Sequence, residues 1–459
     1  MFAKAQRVHF IGIGGIGMSG IAEILLTLGY AVSGSDLRRS TTTDRLSSLG
    51  ATIFVGHAAA NVVGSGVIVT SSAIQESNPE VLEAKQRKIP VIQRAEMLAE
   101  LMRIKYGIAI AGMHGKTSTT SMIATVLAAG GLDPTVVVGG RVDAMGSNAR
   151  LGKSQYLVAE ADESDRSFLR LSPILSVVTN LDREHMDCYR DLADVEAAFI
   201  EFMDRVPFYG ASTACLDNPH LAAILPRVKR RVFTYGMSPQ ADYVARLLPS
   251  GDGVRSCFEV VAHGRVLGPF DLHVPGKHNV LNATAAVAIG VQLEIEGAEI
   301  AQGLKNYRGV DRRFQFKGEG RGVSVVDDYG HHPTEIRATL SAAKECGYAH
   351  VHVIFQPHRY TRTRDLMQDF ATAFDEADTV QILDIYAASE EPIAGIDAPA
   401  LVRASGRKGI AYASGFEEAA KRAASQANDG DVILTLGAGN VSQVASMVLE
   451  SLRNSPDHN

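Results

Sequence analysis

The segment Gly112-Met-His-Gly-Lys-Thr117 has the residue types that bind the phosphates of a nucleoside triphosphate. It follows an apolar run with strand character and precedes a helical pattern that stops at two glycines. Backbone N–H groups at a helix N-terminus attract anions, Lys116 adds a positive charge, and the Thr117 hydroxyl suits Mg²⁺. The segment predicts a phosphate loop, although the common eight-residue form has a glycine where this chain has Ile110. A structural turn is the alternative.

Two acidic clusters follow the next predicted strands, Glu160-Ala-Asp-Glu-Ser-Asp165 and Asn180-Leu-Asp-Arg-Glu-His-Met-Asp187. The carboxyl ends of parallel strands meet at one edge of a sheet, so both clusters should lie near the phosphate loop. Carboxylates suit Mg²⁺, and His185 is a less common nitrogen ligand. The alternative to a metal site is that such acidic residues lie in a solvated loop or cap a helix, as Asp162 or Asp165 could do.

A second glycine-rich turn, Gly12-Ile-Gly-Gly-Ile-Gly17, lies between a predicted strand and a helix near the start of the chain. This spacing is typical of dinucleotide sites, where glycines let the backbone approach a pyrophosphate. Asp36, which ends the next strand, suits a ribose hydroxyl. The pattern alone leaves three interpretations open: NAD(H), another pyrophosphate ligand such as a nucleotide sugar, or a structural turn.

In the last third of the chain, predicted strands again end in polar sequence. Arg359 and Arg362 favour anion binding over a role as surface cations, because they follow a buried strand. The pair His331-His332 suits either catalysis or helix capping. The polar strand ends are Asp327-Asp-Tyr-Gly-His-His-Pro333, Gln356-Pro-His-Arg-Tyr-Thr-Arg362 and Gly437-Ala-Gly-Asn440.

Strands alternate with helices throughout, which predicts an α/β protein. A length of 459 residues suggests about three domains. The segment around Arg312 has the character of a junction, and Asn279 has the spacing of an N-cap for the long helix pattern that follows it, to about Leu293. We place the domains at residues 1–105, 106–311 and 312–459.

Composition excludes several classes of protein. The net charge of −6 argues against a general nucleic-acid binder. No apolar run of about 18 residues and no signal peptide are visible, so we expect no membrane partner. The four cysteines form no C-x-x-C pair, which fits a reducing cytosol. We therefore expect a soluble cytoplasmic protein. The cysteines are Cys188, Cys215, Cys257 and Cys346.

Five motifs, taken in order, resemble the Mur ligases, ATP-dependent amide-forming enzymes of peptidoglycan synthesis. The resemblance extends from about Val8 to about Val444. It implies three domains: a Rossmann-like UDP-binding domain, a central P-loop ATPase-like domain and a Rossmann-like C-terminal domain. The motifs are Gly112-x-x-Gly-Lys-Thr117, Glu160–Asp165, Thr179-Asn180 with His185, Gly276-x-His-Asn279-x-x-Asn282 and Arg312-Arg313-Phe314.

The resemblance also implies which residues bind each ligand. The first glycine-rich turn then receives the diphosphate of a UDP-sugar and not NAD, with Gly14, Gly15, Gly17, Met18, Ser19, Asp36, Ser71 and Ser72 as contacts. ATP is bound by Gly112, Met113, His114, Gly115, Lys116, Thr117, Ser118, Asn279, Asn282 and Arg313. The implied Mg²⁺ ligands are Thr117, Glu160 and His185. The implied catalytic residues are Lys116, His185, Arg313, Tyr329, His331, Arg359 and Arg362.

Within the family, three stretches imply that L-alanine is joined to the lactyl carboxylate of UDP-N-acetylmuramate through an acyl phosphate. A tripeptide as the amine, in cell-wall recycling, is the alternative. From other classes, the alternatives are a NAD-dependent regulator or dehydrogenase and a nucleotide-gated binding protein. The resemblance leaves a monomer and a homodimer both open. The three stretches are Gly12–Ser19, Asp327–Glu335 and Phe355–Arg362.

Two positions depart from the family pattern. Asn180-Leu-Asp-Arg-Glu-His185 replaces the more usual Asn-Ile-Glu-Ala-Asp-His, so the equivalent carboxylate is ambiguous. Sister ligases have a lysine that becomes a carbamate near a second metal. An alignment with a one-residue gap puts Glu196 at that position, and the modification would then not be needed.

Overall fold

The computed structural model describes residues 7–71, 73–142, 147–186, 188–249 and 253–454. These residues form three sheets, each with helices in the connections between its parallel strands. The α/β fold with three domains, as predicted from the sequence, is confirmed. Among the described helices, none combines the length and the hydropathy that crossing a bilayer requires.

The first sheet has five strands in the order β3-β2-β1-β4-β5, and its neighbouring strands pair in parallel. The central strand is β1, and the predicted glycine-rich turn directly follows it. The strands are β1 (Arg7–Ile11), β2 (Val32–Asp36), β3 (Thr52–Val55), β4 (Ser65–Thr70) and β5 (Val91–Gln93). The helices are α1 (Ile16–Thr27), α2 (Thr41–Ser48), α3 (Pro79–Gln86) and α4 (Arg94–Arg103).

The second sheet has ten strands in the order β15-β14-β13-β12-β11-β10-β6-β9-β7-β8. The strands are β6 (Tyr106–Ala111), β7 (Thr135–Val142), β8 (Ser147–Arg150), β9 (Tyr156–Glu160), β10 (Leu175–Val178), β11 (Ala211–Cys215), β12 (Val232–Gly236), β13 (Tyr243–Leu248), β14 (Ser256–Ala262) and β15 (Arg265–Leu272). The helices are α5 (Lys116–Ala129), α6 (Leu192–Asp204), α7 (Pro219–Ile224), α8 (Lys277–Gln292) and α9 (Gly297–Asn306).

The third sheet has six strands in the order β16-β17-β21-β18-β19-β20. Its interior strands are almost wholly apolar and buried, as parallel strands with helices on both faces must be. The strands are β16 (Gln315–Gly320), β17 (Val323–Asp328), β18 (Val351–Phe355), β19 (Thr379–Ile382), β20 (Ile410–Tyr412) and β21 (Val432–Leu436). The helices are α10 (Pro333–Glu345), α11 (Tyr360–Asp365), α12 (Met367–Ala373), α13 (Ala398–Ser405), α14 (Phe416–Gln426) and α15 (Ser442–Asn454).

Contacts among the described residues divide the chain into two compact units. The first unit runs to Arg246 and also contains Phe258–Phe270 and Leu281–Tyr307. The second unit contains Leu247–Cys257, Asp271–Val280 and the chain from Arg308 onward. The first sheet and most of the second thus lie in one unit, whereas the third sheet lies in the other.

Candidate active site

The phosphate loop lies at the carboxyl end of β6, between β10 and β9 in the sheet order. Ile110 is buried within β6, so the loop is the shorter segment from Gly112 to Lys116. Gly112 has φ 132°, and a Cβ there would lie 2.0 Å from Thr179 Oγ1. Gly115 caps α5 with φ 83°, and its Cβ would lie 2.7 Å from Asn282 Oδ1. Only glycine fits either position without a shift of the neighbouring groups.

The residues that follow β10 fix the shape of this loop. The Asn180 side chain accepts a hydrogen bond from the His114 N–H and donates one to the His114 carbonyl, both at 2.9 Å. The Thr179 hydroxyl donates to the same carbonyl at 2.6 Å. Three side-chain bonds thus hold one loop residue, a function that the sequence did not assign to Asn180.

Lys116 lies among acceptors of the loop and of the first acidic cluster. Its Nζ donates to the Gly112 carbonyl at 2.7 Å, to the Met113 carbonyl at 3.3 Å and to Glu163 Oε1 at 2.6 Å. Burial alone lowers the pKa of this ammonium, but the carboxylates of Glu163, Asp162 and Glu160 outweigh that effect and raise the pKa. Lys116 is therefore positively charged at neutral pH.

Glu163 is the acidic residue that sequence reasoning missed, because any of four acidic residues at the end of β9 had the same pattern. Its carboxylate is buried, and Oε1 lies 3.6 Å from His185 Nε2 as well as beside Lys116. The other oxygen, Oε2, has no hydrogen-bond partner among the described residues. Glu160 ends β9 and is half-buried. The structure thus brings the Lys116, Glu163 and His185 side chains together at the end of β6.

The second acidic cluster contributes a separate contact to the loop. His114 Nε2 lies 3.1 Å from Asp182 Oδ2, and His114 Nδ1 lies 4.0 Å from Glu184. Asp187 lies outside the described residues. Glu196 is 3.7 Å from Arg227 Nη1, and the prediction that it replaces a modified lysine stays a prediction.

The glycine-rich turn of the first sheet is held by β2. The Gly14 N–H donates to Asp36 Oδ2 at 2.8 Å, and the Gly12 N–H donates to the Ser35 carbonyl at 2.8 Å. Gly15 caps α1 in an extended conformation, and Gly17 follows in the first turn. Met18 and Ser19 are buried there. Ser71 follows β4 and lines a cavity, whereas Ser72 lies outside the described residues.

In the second unit, Tyr329 lies between two arginines. The Arg312 and Arg313 guanidinium carbons are 5.1 Å and 5.2 Å from the centre of its ring. Arg313 also donates to Glu335 Oε1 at 3.3 Å. Burial alone lowers the pKa of Arg313, but Glu335 and Asp328 raise it overall. The charged guanidinium is thus already paired within its own unit.

His358 is a second residue that the sequence reasoning missed, and it contacts two predicted residues, His331 and Arg362. Its ring centre lies 5.8 Å from that of His331 and is stacked on Tyr386 at 5.5 Å. Its Nδ1 is 3.2 Å from Arg362 Nη1. Burial, with the charges of His331, Arg362 and Arg359, lowers the pKa of His358 to about 3. His358 is therefore a neutral acceptor that orients Arg362. Arg359 is the N-cap residue of α11, with φ 70°.

Two capping predictions have different outcomes. His332 caps α10 and accepts a hydrogen bond from the Thr334 N–H, as adjacent histidines often do. The N-cap predicted for Asn279 is wrong, because α8 begins two residues earlier, at Lys277. The Asn279 amide donates instead to the Pro275 carbonyl at 2.8 Å. Asn279 and Asn282 are both buried.

Family models cover most of the chain in three consecutive matches. The Mur ligase family, catalytic domain, matches residues 7–106, and the Mur ligase middle domain matches residues 110–290. The Mur ligase, glutamate ligase domain, matches residues 312–439.

Relatives and solved structures agree with these matches. The UDP-N-acetylmuramate–L-alanine ligase of Acidobacterium capsulatum is 72% identical and covers 99% of both chains. The enzyme of the same name from Koribacter versatilis is 65% identical over 98% of both. A crystal structure of the UDP-N-acetylmuramate-alanine ligase of Thermotoga maritima has a TM-score of 0.79 at 29% identity, covering 97% of this chain and 98% of that one. A murein peptide ligase from Psychrobacter arcticus has the same fold, with a TM-score of 0.68 at 23% identity over 98% and 100% of the two chains.

Proposed function

Because the chain belongs to the Mur ligase family, we propose that it joins L-alanine to the lactyl carboxylate of UDP-N-acetylmuramate, converting ATP to ADP and phosphate. The observation that carries this function is the 72% identity, over 99% of both chains, to a UDP-N-acetylmuramate–L-alanine ligase. The tripeptide ligase of cell-wall recycling is not favoured, because the murein peptide ligase is 23% identical and supports the fold alone. The chain is thus an acid–amino-acid ligase of peptidoglycan synthesis.

Joining a carboxylate to an amine in water is unfavourable, so the carboxylate must first be activated. In our proposal the lactyl carboxylate attacks the γ-phosphate of ATP, and ADP leaves. The amine of L-alanine then attacks the acyl phosphate, and phosphate leaves. The first step brings two anions together, so charge neutralisation supplies much of the catalysis. The Lys116 ammonium and the N–H groups at the start of α5 provide it.

The residues near Lys116 fit a divalent cation. Thr117, Glu160 and His185 offer a hydroxyl, a carboxylate and an imidazole, and the buried Oε2 of Glu163 has no hydrogen-bond partner among the described residues. Such donors suit Mg²⁺. We propose Thr117, Glu160 and His185 as its ligands. When bound, the ion neutralises charge on the phosphate oxygens.

The family resemblance supports the remaining assignments. We assign Tyr329, His331, Arg359 and Arg362 to the placement of L-alanine and the acyl phosphate, and Arg313 to the phosphates of ATP. The loop residues Gly112–Ser118 bind the phosphates, and Asn279 and Asn282 bind the adenine. The UDP-sugar contacts are Gly14, Gly15, Gly17, Met18, Ser19, Asp36, Ser71 and Ser72.

Organisation and location belong to the same proposal. We place the domain boundaries at 1–105, 106–311 and 312–459, which the ranges matched by the family models support. We propose a cytoplasmic enzyme, since its nucleotide substrates are cytoplasmic metabolites, acting as a monomer or a homodimer. Nucleic acid and membrane are not partners in this proposal.

Phosphate release is the direct test. Purified protein is incubated with ATP, Mg²⁺ and UDP-N-acetylmuramate, and L-alanine, glycine, L-serine and the tripeptide are compared as amines. We expect the highest kcat/KM with L-alanine. Release with the tripeptide alone would reassign the enzyme to recycling, and no release with any amine would exclude a ligase.

A further inference from the structure

Arg94 connects the glycine-rich turn to the acidic cluster beside the phosphate loop. It is the first residue of α4, directly after β5. A Cβ added to Gly17 would lie 2.8 Å from Arg94 Nη1, so the guanidinium lies against the first turn of α1. Its Nη2 donates to Asp162 Oδ2 at 3.1 Å. All of these residues belong to the first compact unit.

Asp162 fixes the orientation of this guanidinium. The Ser164 N–H and hydroxyl both donate to Asp162 Oδ1, at 3.1 Å and 2.7 Å, which leaves Oδ2 toward Arg94. The Asp162 carboxylate thus holds one nitrogen of a guanidinium that has five N–H donors.

The Arg94 N–H groups that do not donate to Asp162 lie near the first turn of α1. The start of α1 carries N–H groups that attract negative charge. The Arg94 side chain is 25% exposed, so a ligand can reach it. A planar guanidinium binds phosphate oxygens in a fixed geometry, which a lysine cannot reproduce.

A cavity of about 220 Å³ adjoins Arg94. Its lining includes Ser71, Asp165, Ser167 and Arg170. Arg170 is paired with Glu96, which also accepts a hydrogen bond from the Gln93 N–H at the start of α4. The cavity is smaller than the roughly 300 Å³ of the smallest typical ligand pockets, so it fits one part of a larger substrate.

We propose that Arg94 binds the diphosphate of the UDP-sugar and that Asp162 is a positioning residue that aims its guanidinium at this group. The assignment rests on the proposed function, because the substrate comes from there. It adds a side-chain contact to a site for which the sequence indicated mainly backbone groups.

Calorimetric binding of UDP-N-acetylmuramate to the full chain tests the contact. We expect R94A to raise Kd by about 10- to 100-fold, the range for losing a hydrogen bond to a charged group. R94K should recover only part of the affinity. The matched control is R103A, in the last turn of the same helix, where Arg103 is exposed and paired with Glu100. Equal Kd values for R94A and the wild type would overturn the proposal.

Competition by UDP-N-acetylglucosamine, which has the diphosphate but no lactyl carboxylate, identifies the group that is bound. If Arg94 contacts the diphosphate, R94A weakens the competitor and the substrate by the same factor. A loss confined to UDP-N-acetylmuramate would overturn the assignment and point to the carboxylate.

A double-mutant cycle tests the function of Asp162. D162N should raise Kd for the UDP-sugar in the wild type but leave it unchanged in R94A, because Asp162 acts on this ligand through Arg94. Equal effects in both backgrounds would contradict the positioning function. The melting temperature of each variant reports folding separately. Failure of the wild type to release phosphate would instead count against the proposed function.

Discussion

The Lys116 ammonium has binding partners both in the protein itself and, in the proposed function, when ATP is bound. Its ammonium donates to two loop carbonyls and to Glu163, so it has partners before any phosphate arrives. A γ-phosphate must compete with these acceptors, and it succeeds through its own higher charge. The ion pair with Glu163 therefore holds the lysine at the loop.

The first prediction concerns this lysine. K116A should reduce kcat for phosphate release by at least about 100- to 1000-fold, the range seen on removal of a single charge-stabilising group. Calorimetric Kd for UDP-N-acetylmuramate should change little, because that site belongs to another sheet. The control is K105A, since the Lys105 ammonium donates to the Ser154 carbonyl before β6 begins. A parallel loss of UDP-sugar binding would refute this separation.

The second prediction uses two glycines with similar backbone conformations. Gly115 has φ 83° and Gly131 has φ 73°, but nothing lies within 4 Å of a Cβ at Gly131. G131A should therefore cost about 1 kcal/mol in the free energy of unfolding, from strain alone. G115A should cost a further ~1–3 kcal/mol through its contact with Asn282 and should raise KM for ATP. Denaturant unfolding measures the free-energy loss of each variant, and steady-state kinetics measures KM for ATP. Equal losses in G115A and G131A would contradict a clash with Asn282.

Among single residues, the sequence predicted those whose chemistry few other residue types can provide. It missed those that differ from chemically similar neighbours only in where the fold places them. Lys116 and the loop glycines were identified because few other residues can do their chemistry. Glu163 and His358 were missed because several neighbours were chemically equivalent in the sequence. Only the backbone path decides that Glu163 meets Lys116 and that His358 meets Arg362.

At the scale of elements, the order of strands explains why distant motifs meet. β6 lies between β10 and β9, so the phosphate loop and both acidic clusters share one sheet edge. Similarly, β21 lies between β17 and β18, and Arg312 donates to the carbonyls of Gly437 and Gly439 beyond β21. The sequence predicted a strand before each of these polar segments. It did not predict β16, whose exposed edge residues follow no apolar pattern.

The third prediction concerns the histidines that the second unit holds in the neutral form. Burial lowers the pKa of His358 to about 3 and that of His278 to about 4, in each case aided by arginine charges. The unfolded imidazoles bind protons near pH 6.5, so the unfolded state binds more protons between these values. The free energy of unfolding should therefore fall as pH falls from about 6.5 toward 3.

Denaturant midpoints at pH 7 and pH 5 check this dependence. H358N retains an acceptor for Arg362 but does not titrate, so its midpoint should fall less on acidification than that of the wild type. H220N, at an exposed histidine of α7, is the control and should behave as the wild type does. An unchanged pH dependence in H358N would contradict the burial argument.

At the scale of the whole molecule, the fold is stabilised by packing and not by disulfide bonds. All four cysteines lie among the described residues, and none of them forms a disulfide. Cys215 is buried in β11, and burial raises its pKa to about 11. Stability therefore rests on the buried sheets and their helices.

The fourth prediction follows from these thiols. A reducing agent should leave the urea midpoint of unfolding unchanged, because there is no disulfide to break. In the folded protein Cys215 should resist alkylation at pH 8, since it is buried and protonated. Mass spectrometry after labelling, with urea-unfolded protein as the control, measures this. A lower midpoint under reduction, or rapid labelling of Cys215, would refute the prediction.

The close approach at Gly112 and Gly115 has a consequence for inhibitor design. A side chain at either position would collide with Thr179 or Asn282, so a change that blocks an inhibitor there would also disturb the loop. An inhibitor that contacts only the backbone of these two residues should select few escape mutations at them. Resistance would have to arise at more distant positions, where substitutions alter the loop indirectly and weaken binding by smaller steps.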